Sequence, residues 1–354
     1  MSTSIERGRR KQESQFMAAG PAAEGLFRPL WWLSGSHAQT AWGGLTRSRR
    51  QVTFRRESLQ TPDGDELLLD HVDGAAGAPR LLVLHGLEGS SFSAYVQGFL
   101  ALARDRGWRG VALNFRSCAR RLDDPSVWIP NRRPRLYHSG ETGDLGFVLR
   151  HLAEADTGSA LSAVGVSLGG NVLLKWLGEN PAQTALAAAA AVSVPYDLGA
   201  GARYMDGGIG RIYVRRFVRT LSVKAAGLAA RFPEVAARID VARARAASTF
   251  REFDDAATAP LHGFAGADDY YAQSSSLEFV ERIASPTLCL SAQDDPFLPR
   301  RVLDEVKERA SSSVELWTTA RGGHIGFVAG RARPRYWAEE SVFGWLAGRT
   351  GKGA

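Results

Sequence analysis

Two cysteines in 354 residues, Cys118 and Cys289, are too few and too far apart to make a disulfide framework. No C-x-x-C pair or Cys/His cluster has the spacing of a zinc site, so no metal is expected, and the thiol content fits a reducing compartment. Long apolar runs are missing too. The stretch from Ala185 to Val194 is too short and too alanine-rich to span a bilayer. The first twenty residues are polar and charged, with no apolar segment of the kind that directs secretion. Residues 1–25 are therefore expected to form a disordered tail, residues 26–350 a single domain, and the protein to be cytoplasmic.

Lysine is scarce: Lys11, Lys175, Lys224, Lys307 and Lys352 are all there are, so the net charge of +7 is almost entirely an arginine surplus. The basic residues read as scattered along the chain rather than gathered with interleaved aromatics, which argues against a nucleic-acid partner. Their densest run, Arg211, Arg215, Arg216 and Arg219, recurs at helical spacing and reads as the wet face of one helix. Such a face could also attract anionic lipid or an acidic substrate, so peripheral membrane contact is compatible with the sequence while a membrane span is not.

What is present is an ordinary globular composition, 44% hydrophobic and 23% charged, which can bury a sizeable core. Alternation from Gln51 to Val72, broken at Pro62-Asp63-Gly64, predicts a hairpin. Short apolar runs at 81–84, 111–115, 161–166, 286–290 and 314–317 predict strands. Helical patterns fall at 94–106, 142–154, 168–178 and 336–346. Strands alternating with helices predict a mostly parallel sheet covered on both faces. From about 197 to 279 no strand pattern appears, only Arg- and Ala-rich helical segments broken at Gly207-Gly208, Pro233 and Pro260. This stretch is expected to be a helical, cap-like insertion.

Gly165-Val166-Ser167-Leu168-Gly169 fits G-x-S-x-G between an apolar strand and a helix. A tight strand-to-helix turn there would lift the Ser167 hydroxyl above the sheet, with the positive end of the following helix aimed at it. His85-Gly86-Leu87-Glu88-Gly89 also follows a strand. The amides of Leu87 and Leu168 are the candidate oxyanion donors, their side chains idle. A serine hydroxyl needs a base. His262 and His324 are the histidines after Ser167; His324, in Gly322-Gly323-His324-Ile325-Gly326 beyond a strand, suits the task, and His262 within the insertion is the weaker candidate. Either Asp294 or Asp295, after the strand at 286–290, could orient the imidazole.

These blocks resemble the YheT-like branch of the α/β-hydrolases over about Pro29 to Leu346. Further markers are Ser36-His37-Ala38-Gln39-Thr40, Asn114-Phe115-Arg116, Tyr137-His138-Ser139-Gly140-Glu141-Thr142, and Asn171 through Lys175 after the nucleophile block. Ser117, following Arg116, departs from the usual glycine. The resemblance implies an α/β-hydrolase fold, a mostly parallel central sheet with helices on both faces and a helical cap. It implies a serine esterase without cofactor, carried by Ser167, Asp295 and His324. Asp295 is favoured over Asp294 because in this fold the acid stands four residues before a proline like Pro299. The substrate would be a small-molecule or lipid ester. Acyl transfer to an acceptor other than water, and a non-catalytic binding role on the same fold, are the alternatives. Tyr137, His138 and Glu141 read as a polar network bracing the active-site loops.

Overall fold

The computed structural model describes residues 27–47, 51–331 and 333–350; the tail expected over 1–25 lies outside them. Eight strands form one sheet: β1 (Arg55–Gln60), β2 (Glu66–Val72), β3 (Arg80–Leu84), β4 (Arg109–Asn114), β5 (Leu161–Val166), β6 (Ala188–Val192), β7 (Thr287–Ala292) and β8 (Val314–Thr319). Their spatial order is β1-β2-β4-β3-β5-β6-β7-β8. Only β1 and β2 run antiparallel to their neighbours; from β4 to β8 every pairing is parallel. Parallel strands need crossover helices, which cover both faces and leave strands that read as continuous apolar runs.

Helix α1 is Ser36–Thr46, α2 Ala94–Asp105, α3 Gly143–Glu154 and α4 Leu168–Glu179. After β6 come α5 (Leu198–Met205), α6 (Gly210–Arg231), α7 (Val241–Ala246) and α8 (Ala267–Ser274); α9 (Arg300–Arg309) and α10 (Trp337–Thr350) close the chain. Leu82 and Leu84 of β3 face a core shared with Val148 of α3, Val172 of α4 and Val302 of α9. The alternate residues Leu81 and Val83 face Phe99 of α2 and Phe343 of α10. The segments between β6 and β7 have a small core of their own, with Val214, Val218, Leu228, Ile239 and Phe253 at its centre.

Three features depart from the sequence expectation. The alanine run within 185–194 is a central strand, β6, although alanine is a weak strand former. Its small side chains let α4 lie close: a Cβ built on Gly170 would sit 3.5 Å from that of Ala191. Pro260 does not break its helix. It occupies the first turn of Ala259–His262, where no amide is needed, directly after a π-helical turn at Asp254–Thr258. The basic residues are not scattered in net effect. Residues 198–249 hold ten arginines and lysines against three carboxylates, a surplus of seven that equals that of the whole chain.

Arg116, just past β4, ties the hairpin to α3. Its guanidinium donates to Asp144 at 2.7 and 2.8 Å, to Asp65 at 2.8 Å and to Asp63 at 2.9 Å, with 2% of the side chain exposed. Burial pushes the Asp144 carboxyl up despite the ion pair. For Asp65 burial acts upward too, but hydrogen bonds from the Arg132 amide and Asn131, with the Arg116 charge, hold it below the ordinary value. A carboxyl held low in the fold stabilises it above the unfolded pKa and loses that stability as pH falls. Replacing Arg116 with Met strands these carboxylates. Urea unfolding at pH 7 is expected to show a loss of about 3–5 kcal/mol, narrowing as the pH drops toward 4 and protonation relieves the stranded charges; an unchanged midpoint at pH 7 would contradict the account.

Candidate active site

The register aligns the carboxyl ends of the central strands. Leu84 pairs with Gly165, and Val166 with Val192, so the loops leaving β3, β5 and β6 emerge together. In open α/β sheets this is the edge where ligands bind. Ser167 stands between β5 and α4 at φ 54° and ψ −121°, a conformation unfavourable for any residue with a Cβ. The flanking glycines are needed for space. A Cβ on Gly165 would lie 2.4 Å from the Gly169 carbonyl oxygen, and one on Gly169 2.6 Å from that of His85. The Ser167 amide donates to the Val192 carbonyl at 2.8 Å, fixing the turn to β6.

His324 and Asp295 meet this serine. Ser167 Oγ is 2.9 Å from His324 Nε2, and His324 Nδ1 is 2.8 Å from Asp295 Oδ2; both the imidazole and the carboxylate are buried. The imidazole stacks on Phe297, ring centres 4.2 Å apart, which holds its plane. The neighbouring Asp294 does something else: its Oδ1 accepts the Gly323 amide at 2.9 Å and so anchors the loop carrying His324. His262 does not reach the serine. It packs on His138 with ring centres 4.5 Å apart, and burial drives its pKa down to about 2.

The Ser36–Thr40 block clamps the same loop. Thr40 Oγ1 accepts the His324 amide at 2.9 Å. Fully buried Gln39 donates to the Leu33 and Val328 carbonyls and accepts the Val328 amide. From the sheet side, Ser193 Oγ accepts the Ile325 amide at 3.0 Å.

The loop after β3 lies against the nucleophile, since a Cβ on Gly86 would be 3.1 Å from that of Ser167. Two of its amides are engaged: Gly86 donates to the Tyr95 hydroxyl at 2.7 Å and Glu88 to that of Tyr137 at 2.8 Å. The Leu87 amide between them has no partner among the described residues. Leu168 opens α4, so its amide has no intrahelical acceptor. Both residues line the cavity that holds Ser167 and His324. His85 supports the loop from below: Nε2 accepts the Phe115 amide at 3.2 Å, which leaves Nδ1–H to donate to the Gly86 carbonyl at 2.8 Å. Burial lowers its pKa to about 3, so it stays neutral.

Sequence reasoning missed one group here, Lys224. It comes from α6 and is buried against the loop, its ammonium 2.7 Å from Glu88 Oε1. Tyr137 OH donates to that oxygen at 2.9 Å, and Glu88 itself sits at φ 57°. Burial opposes the ammonium, but Cys118 and Glu88 together hold its pKa above the ordinary lysine value. The helical insertion is thus fastened to the residue beside Leu87. The available signal was position: in a helix whose wet face is arginine, Lys224 falls on the side of Phe217, Leu221 and buried Leu228, opposite Arg215.

The cavity above Ser167 measures about 780 Å³ and runs between the sheet edge and the helical insertion. Leu198, Met205, Phe217, Leu221 and Phe250 give it an apolar wall, and the described residues hold no His/Cys/Asp/Glu group able to bind a metal.

Residues 79–330 match the alpha/beta hydrolase fold family. The chain is 39% identical over 324 residues to YheT of Escherichia coli K12, a protein described provisionally as an esterase, covering 90% of this chain and 92% of that one. It is 31% identical over 319 residues to mouse phospholipase ABHD3, covering 88% and 75%. Among solved structures, an esterase of Pyrococcus furiosus superposes with a TM-score of 0.54 at 17% identity, covering 84% and 92%, which speaks to the fold alone.

Proposed function

The chain belongs to the α/β-hydrolase fold family and to its YheT-like branch, and from that premise we propose that it is a serine esterase working through an acyl-enzyme on Ser167. The observation that carries this is the unbroken line from Ser167 Oγ to His324 Nε2 at 2.9 Å and from His324 Nδ1 to Asp295 Oδ2 at 2.8 Å. His324 takes the hydroxyl proton as Oγ attacks an ester carbonyl. Asp295 holds the ring so that Nε2 faces the serine, and it stabilises the imidazolium that forms. The Leu87 and Leu168 amides receive the oxyanion. His324 then protonates the departing alcohol, and water repeats the attack on the acyl-enzyme. The substrate class we assign is a carboxylic ester with a sizeable apolar acyl part, because the cavity wall facing Ser167 is apolar and aromatic. Relatives named as an esterase and a phospholipase fit that class. Within the same reading the one domain spans 26–350, with 197–279 as its cap, and Asp294 positions the loop rather than the ring.

A fluorophosphonate probe is expected to label the wild type and not Ser167→Ala, with p-nitrophenyl ester hydrolysis lost in parallel. Asp295→Asn should lower kcat by about 10⁴-fold. Asp294→Asn, whose amide oxygen can still accept the Gly323 amide, should cost no more than about tenfold. Equal labelling of Ser167→Ala, or the reverse ranking of the two aspartates, overturns the assignment.

Lys224 is a positioning residue in this scheme. Lys224→Met should lower kcat by up to about a hundredfold with KM little changed, the size expected when an oxyanion donor shifts by roughly an ångström. Adding Glu88→Gln removes the stranded charge. The double variant should recover the melting temperature without recovering kcat, whereas full recovery of both would reduce the pair to a structural tie.

A further inference from the structure

The arginine-rich face of α6 has no task in the chemistry above, and its surroundings differ from those of the arginines elsewhere. On the sheet domain many arginines are neutralised in place, among them Arg56 on Asp70, Arg109 on Asp156, Arg309 on Glu278 and Arg349 on Glu315. On the insertion, Arg215, Arg216, Arg219 and Arg245 have no carboxylate partner among the described residues. These belong to the segment 198–249 that holds the chain's entire positive surplus. Like charges gathered without carboxylate partners build a positive potential that attracts anionic surfaces.

The same face carries exposed aliphatic residues. Ile212 is 67% exposed, Val223 52% and Ile209, just before the helix, 51%. Arg215, Arg219 and Arg245 rim a groove of about 620 Å³ whose floor includes Val218, Val223 and Ala226. Cationic guanidinium groups around aliphatic side chains suit a surface that is anionic outside and hydrocarbon beneath. A single-stranded nucleic acid would call for stacking aromatics, and a duplex would give the exposed aliphatic residues nothing apolar to meet. The helix is too polar to cross a membrane and would lie in the interface plane.

We infer that the outer face of α6, with Arg215, Arg219 and Arg245, docks the protein on a bilayer surface rich in anionic phospholipid. Docking there leaves the Ser167 cavity about one helix width, roughly 10 Å, from the bilayer surface, because the inner side of the same helix, through Phe217 and Thr220, walls that cavity. This last consequence rests on the esterase reading; the docking itself does not.

The test is co-sedimentation of the full chain with phosphatidylcholine vesicles containing or lacking 30% phosphatidylglycerol, at roughly physiological salt. The wild type should pellet with the anionic vesicles only and be released by added salt. Each arginine at an anionic surface contributes roughly fivefold to partitioning, so Arg215→Glu/Arg219→Glu/Arg245→Glu should weaken it by at least about a hundredfold. Its turnover of a water-soluble ester should match that of the wild type. Should the triple Glu variant prove unfolded by its melting curve, Arg215→Gln/Arg219→Gln/Arg245→Gln gives the same comparison with a smaller loss. No pelleting of the wild type, equal pelleting with neutral vesicles, or equal pelleting of the substituted forms overturns the proposal, as does tighter binding to single-stranded RNA than to the vesicles. Because pelleting needs no turnover, an inactive Ser167 leaves this result standing, and a failed docking leaves the esterase reading standing.

Discussion

The architecture depends on a backbone contact at the turn between β5 and α4. Ser167 is held at φ 54°, and the chain on either side of it presses so closely against its neighbours that Gly165 and Gly169 leave no room for a methyl group. A Cβ on Gly169 would also meet the Leu84 carbonyl oxygen at 2.7 Å. The end of β3 is therefore seated on the start of α4. The absence of side chains that allows the serine its turn also brings the Gly86–Glu88 loop against it. The rest follows from register. Parallel pairing of β6, β7 and β8 delivers the loops after β7 and β8 to the same edge, where Asp295 and His324 complete the line.

Much of this was legible because it is local. Strands buried on both faces announce themselves as apolar runs, and Ser167, His324 and the two aspartates each follow such a run at a glycine- or proline-marked turn. The choice between Asp294 and Asp295 is different in kind. Adjacent residues on a tight loop point in different directions, and nothing local says which one faces an imidazole arriving from another strand. Similarly β6 was hidden because its alanines carry no strand preference. They are small because helices pack close on the sheet there, a tertiary reason that no window of sequence contains.

The insertion shows the opposite limit. Its helices could be read from breaks and periodicity, but not its attachment, because Lys224 and Glu88 lie 136 residues apart. Nor could a residue-by-residue reading of charge tell paired from unpaired arginines. Arg116 and Arg215 look alike in sequence. One is enclosed by three carboxylates and organises the fold, while the other faces outward without a partner.

The distribution of strain ties these threads together. Among the described residues six other than glycine have positive φ: Glu88, Ser117, Ser167, Ser193, Ile325 and Phe327. All stand in loops leaving β3, β4, β5, β6 or β8, and each such conformation costs on the order of 1–3 kcal/mol. Strain of that size persists only where the surroundings over-determine the backbone, and here backbone bonds at Ser167 and Phe327 are joined by side chains elsewhere. Tyr137 accepts the Glu88 amide, and the Ser193 hydroxyl accepts that of Ile325. Thr40 and Gln39 hold the two ends of the His324 loop, and Asn171 bonds the Ser139 and Ser274 carbonyls. Each bond contributes about 1 kcal/mol net, so several together are needed to offset one strained loop. That accounts for the polar blocks around Gln39 and Tyr137 as well as for the catalytic-looking ones. They are side chains whose acceptors and donors are loop backbone, and without them the loops would relax away from the serine. The expected bracing role of the Tyr137 block thus has a physical basis, most directly in Tyr137 itself. Glu141 contributes at one remove, by accepting the first amides of α3, while His138, neutral and packed on His262 at the cavity wall, accepts the Gly140 amide at 3.2 Å.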